Sequence, residues 1–393
     1  MGAAKWRDPA EWPSGAKPVT RKIAYDDLYR VRQIKYEYSA GDDTWVSPFA
    51  RENGEHFSDA NFDHRRSMPS PHVSFDKRVL EQDIAYDWLG NTETTDDDAH
   101  GFYDRSLGTI VNDSAHGKPY QLASASNASK GGARTGSLNA AYDVAGNLKD
   151  LAVNRNPSGT ATCLPSGSGC NQTFHYQWDE VGRLVRAQRW DIATAAQNLG
   201  TIPSAKTAAD LTYTYDASDN RVLKSSTATE NNDETKQRHS VYISGGQELR
   251  GAQFSSAYLD PGTTGADYQI DSKTEVAYLF AHGVRLGRVA YDNGTGMPTF
   301  GENAVLPAQH VLINLDDTLG STSIVIDRAT SELVEASSYL AHGATESDYR
   351  PDRWNGLRED YRFTGKVLRA ELRSYDRSKL TSEDFGSIPT LSS

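Results

Sequence analysis

A short unit recurs along this chain: an aromatic residue, an aspartate, two variable residues, a glycine or aspartate, then asparagine or arginine. Its clearest setting is residues 174–190. Phe174, Tyr176 and Trp178 alternate with His175 and Gln177, so three aromatics fall on one face of an extended segment. Asp179, Glu180, Val181 and Gly182 follow as a turn. The aspartate side chain can accept a backbone N–H two residues on, and glycine can take the positive φ that closes a short hairpin loop. Leu184 to Trp190 then runs back. Tyr86-Asp87-Trp88-Leu89-Gly90-Asn91, Tyr142-Asp143-Val144-Ala145-Gly146-Asn147 and Tyr215-Asp216-Ala217-Ser218-Asp219-Asn220 repeat the pattern. Tyr25-Asp26-Asp27-Leu28-Tyr29-Arg30 is a degenerate copy, with Tyr29 at the glycine position. Tyr103-Asp104-Arg105-Ser106-Leu107-Gly108 is looser, with its glycine one place late. The steps from Tyr142 to Trp178 and on to Tyr215 are 36 and 37 residues, and the earlier steps are longer and uneven. Hairpins set in long irregular connections predict a sheet that grows strand by strand, not a strict solenoid. Each turn alone is ordinary hairpin chemistry, its aspartate a turn residue and its aromatic a sheet-face residue.

Composition agrees with an all-β wall. Hydrophobic residues are 37% of the 393, while tyrosine (20) and glycine (32) are plentiful. The formal charge of −12 keeps such a wall in solution and argues against sequence-independent nucleic-acid binding, which needs a basic surface. No run approaches the roughly 18 apolar residues of a membrane helix, and the first residues lack the apolar core of a signal peptide. Export is expected to use another route or a larger assembly. Cys163 and Cys170 flank a Gly/Ser/Pro loop, which suits either a small disulfide or two free thiols. They have no nearby histidine pair and make no zinc site. Asp96-Asp97-Asp98 lacks the alternating ligands of an EF-hand and is expected to be a solvated acidic turn.

In chain order, residues 1–22 are expected to be a flexible lead-in and residues 23–39 the first hairpin. Residues 41–77 read as a long polar excursion, 80–95 as a strand pair and 123–136 as a loop. Residues 138–153 carry the next hairpin, 154–171 a turn-rich connection, and 193–210 a link with room for one helical turn. Residues 211–227, 240–254 and 275–290 are strand pairs, with a turn at Asp260-Pro261-Gly262 between the last two. From His310 on, Val311, Ile313 and Leu315 alternate, Asp316-Asp317-Thr318-Leu319-Gly320 turns the chain, and residues 321–327 return.

These repeats resemble the YD-repeat, or Rhs, family of bacteria, and within it the C subunits of insecticidal Tc toxin complexes. Asp317 to Thr322 resembles the family's Asp-x-Leu-Gly-Ser segment, with Leu315 and Thr318 where many relatives carry histidine. Tyr361-Arg362-Phe363-Thr364-Gly365-Lys366 resembles the opening of the Rhs-associated core. The resemblance spans about residues 25 to 366. It implies a large curved antiparallel sheet forming part of a hollow shell (residues 23–343), the start of the core (344–366) and a divergent tail (367–393). The core's protease aspartates and any toxin are then missing, as in a truncated copy or one piece of a split locus. The implied partners are other shell segments or toxin-complex subunits and an encapsulated toxin polypeptide.

Three function classes follow. The first is a non-catalytic shell or scaffold fragment, secreted or surface-borne within a larger assembly. The second is a surface module binding carbohydrate or a partner protein, with Trp88, Trp178 and Trp190 as candidate stacking platforms against the alternative that they pack on a sheet face. The third is an enzyme. A glycosidase with paired carboxylates would be the example, but among 53 Asp and Glu such pairs occur by accident, and Gly-x-Ser-x-Gly, His-Glu-x-x-His and phosphate-loop motifs are absent. His282 and His342, each in Ala-His-Gly, read as loop residues. Catalytic, cofactor and metal residues are therefore expected to be none.

Overall fold

The computed structural model describes residues 17–45, 72–159, 161–164, 170–193, 199–205, 207–226, 239–243, 246–254, 268–269, 274–281, 284–291, 299–300, 304–305, 309–317, 320–341 and 343–349. Asp260-Pro261-Gly262, His282, His342, the Tyr361–Lys366 motif and residues 367–393 lie outside them. The strands are β1 (Thr20–Tyr25), β2 (Val31–Glu37), β3 (His72–Val73), β4 (Glu81–Tyr86), β5 (Thr92–Asp97), β6 (Gly108–Asp113), β7 (Lys118–Ser126), β8 (Arg134–Tyr142), β9 (Leu148–Pro157) and β10 (Cys163–Leu164). There follow β11 (Asn171–Trp178), β12 (Leu184–Ile192), β13 (Ala209–Tyr215), β14 (Arg221–Ser226), β15 (His239–Ile243), β16 (Gln247–Phe254), β17 (Tyr268–Gln269), β18 (Thr274–Ala281) and β19 (Val284–Tyr291). The rest are β20 (Thr299–Phe300), β21 (Ala304–Val305), β22 (Gln309–Asp316), β23 (Thr322–Asp327), β24 (Leu333–Tyr339) and β25 (Thr345–Tyr349). The helical pieces among the described residues are two single 3-10 turns, Ser114–His116 and Ala128–Lys130.

The expected all-β architecture is observed. One sheet holds 21 strands. Leaving aside the short β3, β10, β17, β20 and β21, each strand pairs antiparallel with the next in sequence, from β1–β2 and β2–β4 through to β24–β25. A strict antiparallel meander sorts its connections. The hairpin turns of the repeat fall on one rim, and the connections after β2, β5, β9 and β12 leave from the other at their described ends.

The pleat sorts the side chains. Cross-strand partners Ile34, Gln82 and Asp97 share one face with Ile110, Ala125, Leu138, Val153 and Gln172. The same face continues through Tyr176, Ala187, Leu211 and Ser226, and later through Tyr278, Arg288, Leu312 and Asp327. Those residues are buried along the whole ribbon. About twenty strands at ~4.8 Å would make a flat sheet roughly 90 Å wide. Here the two ends meet instead: Ile34, Tyr36 and Val79 near the start form one buried cluster with Leu340 near the end. The sheet therefore curls toward its buried face. The largest apolar cluster, including Leu138, Leu151, Phe174, Tyr176 and Leu211, is capped by Phe102, Tyr103 and Leu107 from the connection after β5.

Several local expectations are corrected. The loop expected at 123–136 is confined to 127–133, and its flanks belong to β7 and β8: Ala125 is buried and Gly136 leaves room for the Phe102 ring, so small residues there serve packing. Residues 154–157 extend β9, and Ala209 and Asp210 belong to β13. No helical turn occurs in the described part of 193–210. The Tyr103 unit is not a hairpin: Tyr103 is buried at φ 66, and Asp104 is buried too. In β22 the buried residues are His310, Leu312 and Asn314, so Ile313 and Leu315 point outward, 39% and 48% exposed. Period-two alternation marks two faces without saying which is covered. Cys163 and Cys170 are joined as a disulfide, Cα–Cα 5.6 Å, beside the short β3–β10 pair.

Candidate functional site: a rim of aspartate turns and a closing seam

The repeat unit encodes one hydrogen-bonded object. In the turn after β11, Asp179 Oδ1 accepts the N–H of Val181 (3.1 Å) and of Arg183 (2.8 Å), and Oδ2 accepts Arg183 Nε–H (2.7 Å). Asp143 does the same with Ala145, Asn147 and the Asn147 side-chain amide, and Asp216 with Ser218, Asn220 and the Asn220 amide. This is why the unit ends in asparagine or arginine: each can donate both a backbone and a side-chain N–H to the same carboxylate. The donors hold the Asp179 and Asp216 carboxyls below the usual range, led by the backbone N–H of Arg183 and of Asn220. The fourth loop residue needs a left-handed φ, met by Gly182 (81) and Gly146 (89), by Asp219 (63) in the copy with aspartate there, and by Tyr29 (60) in the degenerate copy. Arg183 also reaches Asp219 of the next turn at 2.6 Å, so neighbouring turns are tied along the rim.

The aromatic has a specific task. Tyr86 Oη donates to the Val31 carbonyl (2.9 Å), Trp178 Nε1 to Leu148 (2.7 Å) and Tyr215 Oη to Leu184 (2.8 Å). Val31, Leu148 and Leu184 are each the first residue of the return strand in the preceding hairpin. Each unit thus stitches itself to the one before it. Tyr339 Oη donates to Thr322, the first residue of β23, by the same rule (2.7 Å). Tyr215→Phe should keep the fold and lower stability by about 1 kcal/mol, read as a shift in urea midpoint at unchanged slope.

The curled face is polar as well as apolar. Arg155, Gln172, Arg189, Lys224, Glu248, Arg288, Asp327 and Glu335 are all buried. Both signs of charge occur on it.

The seam where the ends meet carries the densest ionic packing. Arg78 Nε and Nη2 donate to Glu346 Oε1 and Oε2 (2.8 and 2.6 Å), and Arg78 Nη1 donates to Asp42 Oδ2 (3.2 Å). The guanidinium lies 4.2 Å from the Tyr38 ring centroid. Burial pushes the Glu346 carboxyl up, but Arg78 outweighs it and leaves the group below its ordinary value. Next to this, Asp97 is buried and accepts the Gly101 N–H (2.7 Å). Burial raises its carboxyl to about 6 against the pull of Arg105. The expected solvated turn at 96–98 is therefore corrected: Asp98 is exposed, but Asp97 is enclosed and Asp96 binds Lys130 at 2.9 Å. Because the folded state holds the Asp97 proton more tightly than the unfolded chain, stability should rise as pH falls from 7 toward 5. It should fall again once Glu346 protonates below its unfolded value near 4.5. Thermal melts across this range should show that maximum, and Asp97→Asn should flatten its alkaline side.

Of the candidate stacking platforms, Trp190 is buried and Trp178 is packed through its Nε1 bond, while Trp88 stands 91% exposed at a turn tip. Among the described residues, no three His, Cys, Asp or Glu side chains gather as metal ligands. None of the described helical segments is long and apolar enough to cross a membrane.

No family model and no curated protein matches the chain. Among solved structures it is similar over 90% of its length to a TcdB2-TccC3-TEV crystal structure, at 16% identity, covering 16% of that chain, TM-score 0.35. A Photorhabdus luminescens Tc holotoxin pore structure is similar at 15% identity, with the same coverage and TM-score. TcdB2-TccC3 without its hypervariable C-terminal region is similar at 14% identity over 18% of that chain, TM-score 0.35. The chain thus spans less than a fifth of those chains, and at these TM-scores the likeness carries no inference.

Proposed function

We propose that this chain is a stretch of Rhs-type wall: a non-catalytic shell or scaffold segment that helps bound a space holding a toxin polypeptide. The observation that supports this best is the stitching of the Tyr86, Tyr142, Trp178, Tyr215 and Tyr339 hairpins to the hairpins before them by an aromatic donor, with the turns of the repeat unit on one rim. That rule has no built-in end, so it suits a barrier extended by repetition. The mixed-charge inner face offers neither a purely apolar sink nor a single-sign field to a passing chain. Over β8–β13 that face is filled by the chain's own Phe102, Tyr103 and Leu107. An enclosed volume would therefore need further wall, and the partners are further shell segments or toxin-complex subunits, in a secreted or surface-borne assembly.

The exposed Trp88 favours a second reading, a surface module that binds carbohydrate. Electron microscopy of the purified chain, with a glycan array run on the same preparation, separates the two. A curved wall with no glycan bound supports the shell. A compact globule with a small regular core would overturn it, and glycan binding lost in Trp88→Ala would favour the surface module.

A further inference from the structure

The two ends of the curled sheet are joined differently from its interior. Inside the ribbon, neighbouring strands share backbone ladders. Among the described residues no ladder joins β25 to β1, β2 or β4. What crosses the seam is side chain. Glu346 on β25 takes both arms of Arg78, which precedes β4, at side-chain exposures of 4% and 3%. Ser338 Oγ, on β24, donates to Glu346 Oε2 (2.6 Å). On the other bank, Arg78 Nη1 is also held by the Asp42 carbonyl (3.3 Å), and Tyr38 Oη donates to the Val79 carbonyl (2.6 Å). Beneath lie Ile34, Tyr36, Val79 and Leu340.

We infer that Arg78 and Glu346 form a latch, and that the seam they close is the line along which this wall opens. Opening there breaks one ion cluster and a small apolar contact but unpairs no strand. Opening anywhere else must break a ladder. A buried cluster suits a latch: losing Arg78 leaves Asp42 and Glu346 buried without their shared cation, and losing Glu346 leaves Arg78 on Asp42 alone with two guanidinium donors unmet, so either loss favours hydration and separation. The inference stands whether or not the wall encloses a polypeptide.

The test places spin labels on Asp83→Cys in β4 and Leu315→Cys in β22, both exposed and on opposite banks. With Arg78 and Glu346 intact, dipolar spectroscopy should give one distance. Glu346→Ala should add a longer population, and hydrogen exchange should speed up at 38–45, 77–80 and 340–346 while β8–β12 stays protected. Glu346→Gln, which keeps the shape without the charge, serves if the alanine variant does not fold. An unchanged distance in a folded variant overturns the latch. So does simultaneous loss of protection across the whole sheet, or failure of both variants to fold, since the seam would then belong to the global core.

Discussion

Gly108→Ala should lower unfolding free energy by about 3 kcal/mol or more, combining left-handed strain with backbone overpacking. Gly108 opens β6 at φ +67, and an added Cβ would meet Ser126 O at 2.3 Å and Asn127 Cα at 2.6 Å. Those are backbone atoms of β7 and its exit, so they cannot swing aside as a side chain would. The neighbouring Leu107 N–H donates to Thr95 Oγ1 at 2.7 Å, which pins the connection carrying Phe102 and Tyr103 onto the inner face. Gly117→Ala is the matched control: φ +73, with nothing within 4 Å of the new Cβ. It should cost about 1 kcal/mol, the dihedral strain alone. Denaturant midpoints of the two variants decide the matter. If they shift alike, the close approach of β6 to β7 contributes nothing.

Gly108 also shows what the sequence could and could not convey. It looked like a late glycine of a repeat turn, yet its conformation serves a close strand approach, and the Tyr103 segment it follows is buried. The genuine turns were legible because their chemistry is local: aspartate, two residues, a positive φ and a closing donor all lie within five positions. Even Tyr29 and Asp219, without glycine, take the left-handed φ the pattern demands. The turn at Leu340 reads from sequence only as a loop at His342, not as a copy of the repeat, because it has no carboxylate. It closes by backbone alone, Leu340 N–H to Ala344 O (2.8 Å) and Gly343 N–H to Leu340 O (2.9 Å). Its one signal was Tyr339 four places before Gly343. The seam was illegible for a different reason. Arg78 and Glu346 are 268 residues apart, and only the accumulated curl of the sheet brings them together. Asp97 was hidden in the same way, since nothing local indicates that Arg105 and Phe75 will close over an acidic run.

Asp104→Ala should destabilise the chain by about 3–5 kcal/mol, the range for breaking one side of a buried pair. Asp104 and Arg155 are 1% and 2% exposed, with Arg155 Nη2 at 3.4 Å from Asp104 Oδ1. The guanidinium sits 4.7 Å from the Tyr103 ring centroid and donates through Nη1 to Gln172 Oε1 (2.9 Å) and to the Cys170 carbonyl (3.1 Å). Asp104 Oδ2 meanwhile accepts the Val73 N–H at 3.3 Å. One ion pair therefore fastens the capping connection to β3, β9, β11 and the disulfide loop. Removing the carboxylate leaves a guanidinium buried away from water without its partner, whereas removing both charges does not. Arg155→Met combined with Asp104→Leu should recover most of the loss, and a cycle closed with the Asp104→Leu and Arg155→Met single variants should give a coupling larger than half the Asp104→Leu loss. Hydrogen exchange adds the structural half of the test. In Asp104→Ala protection should fall first at residues 101–107 and 72–74, uncovering the inner face over β8–β13 while the rim turns stay intact. Equal losses in the single and double variants would mean that Phe102 and Tyr103 hold the cap by packing alone.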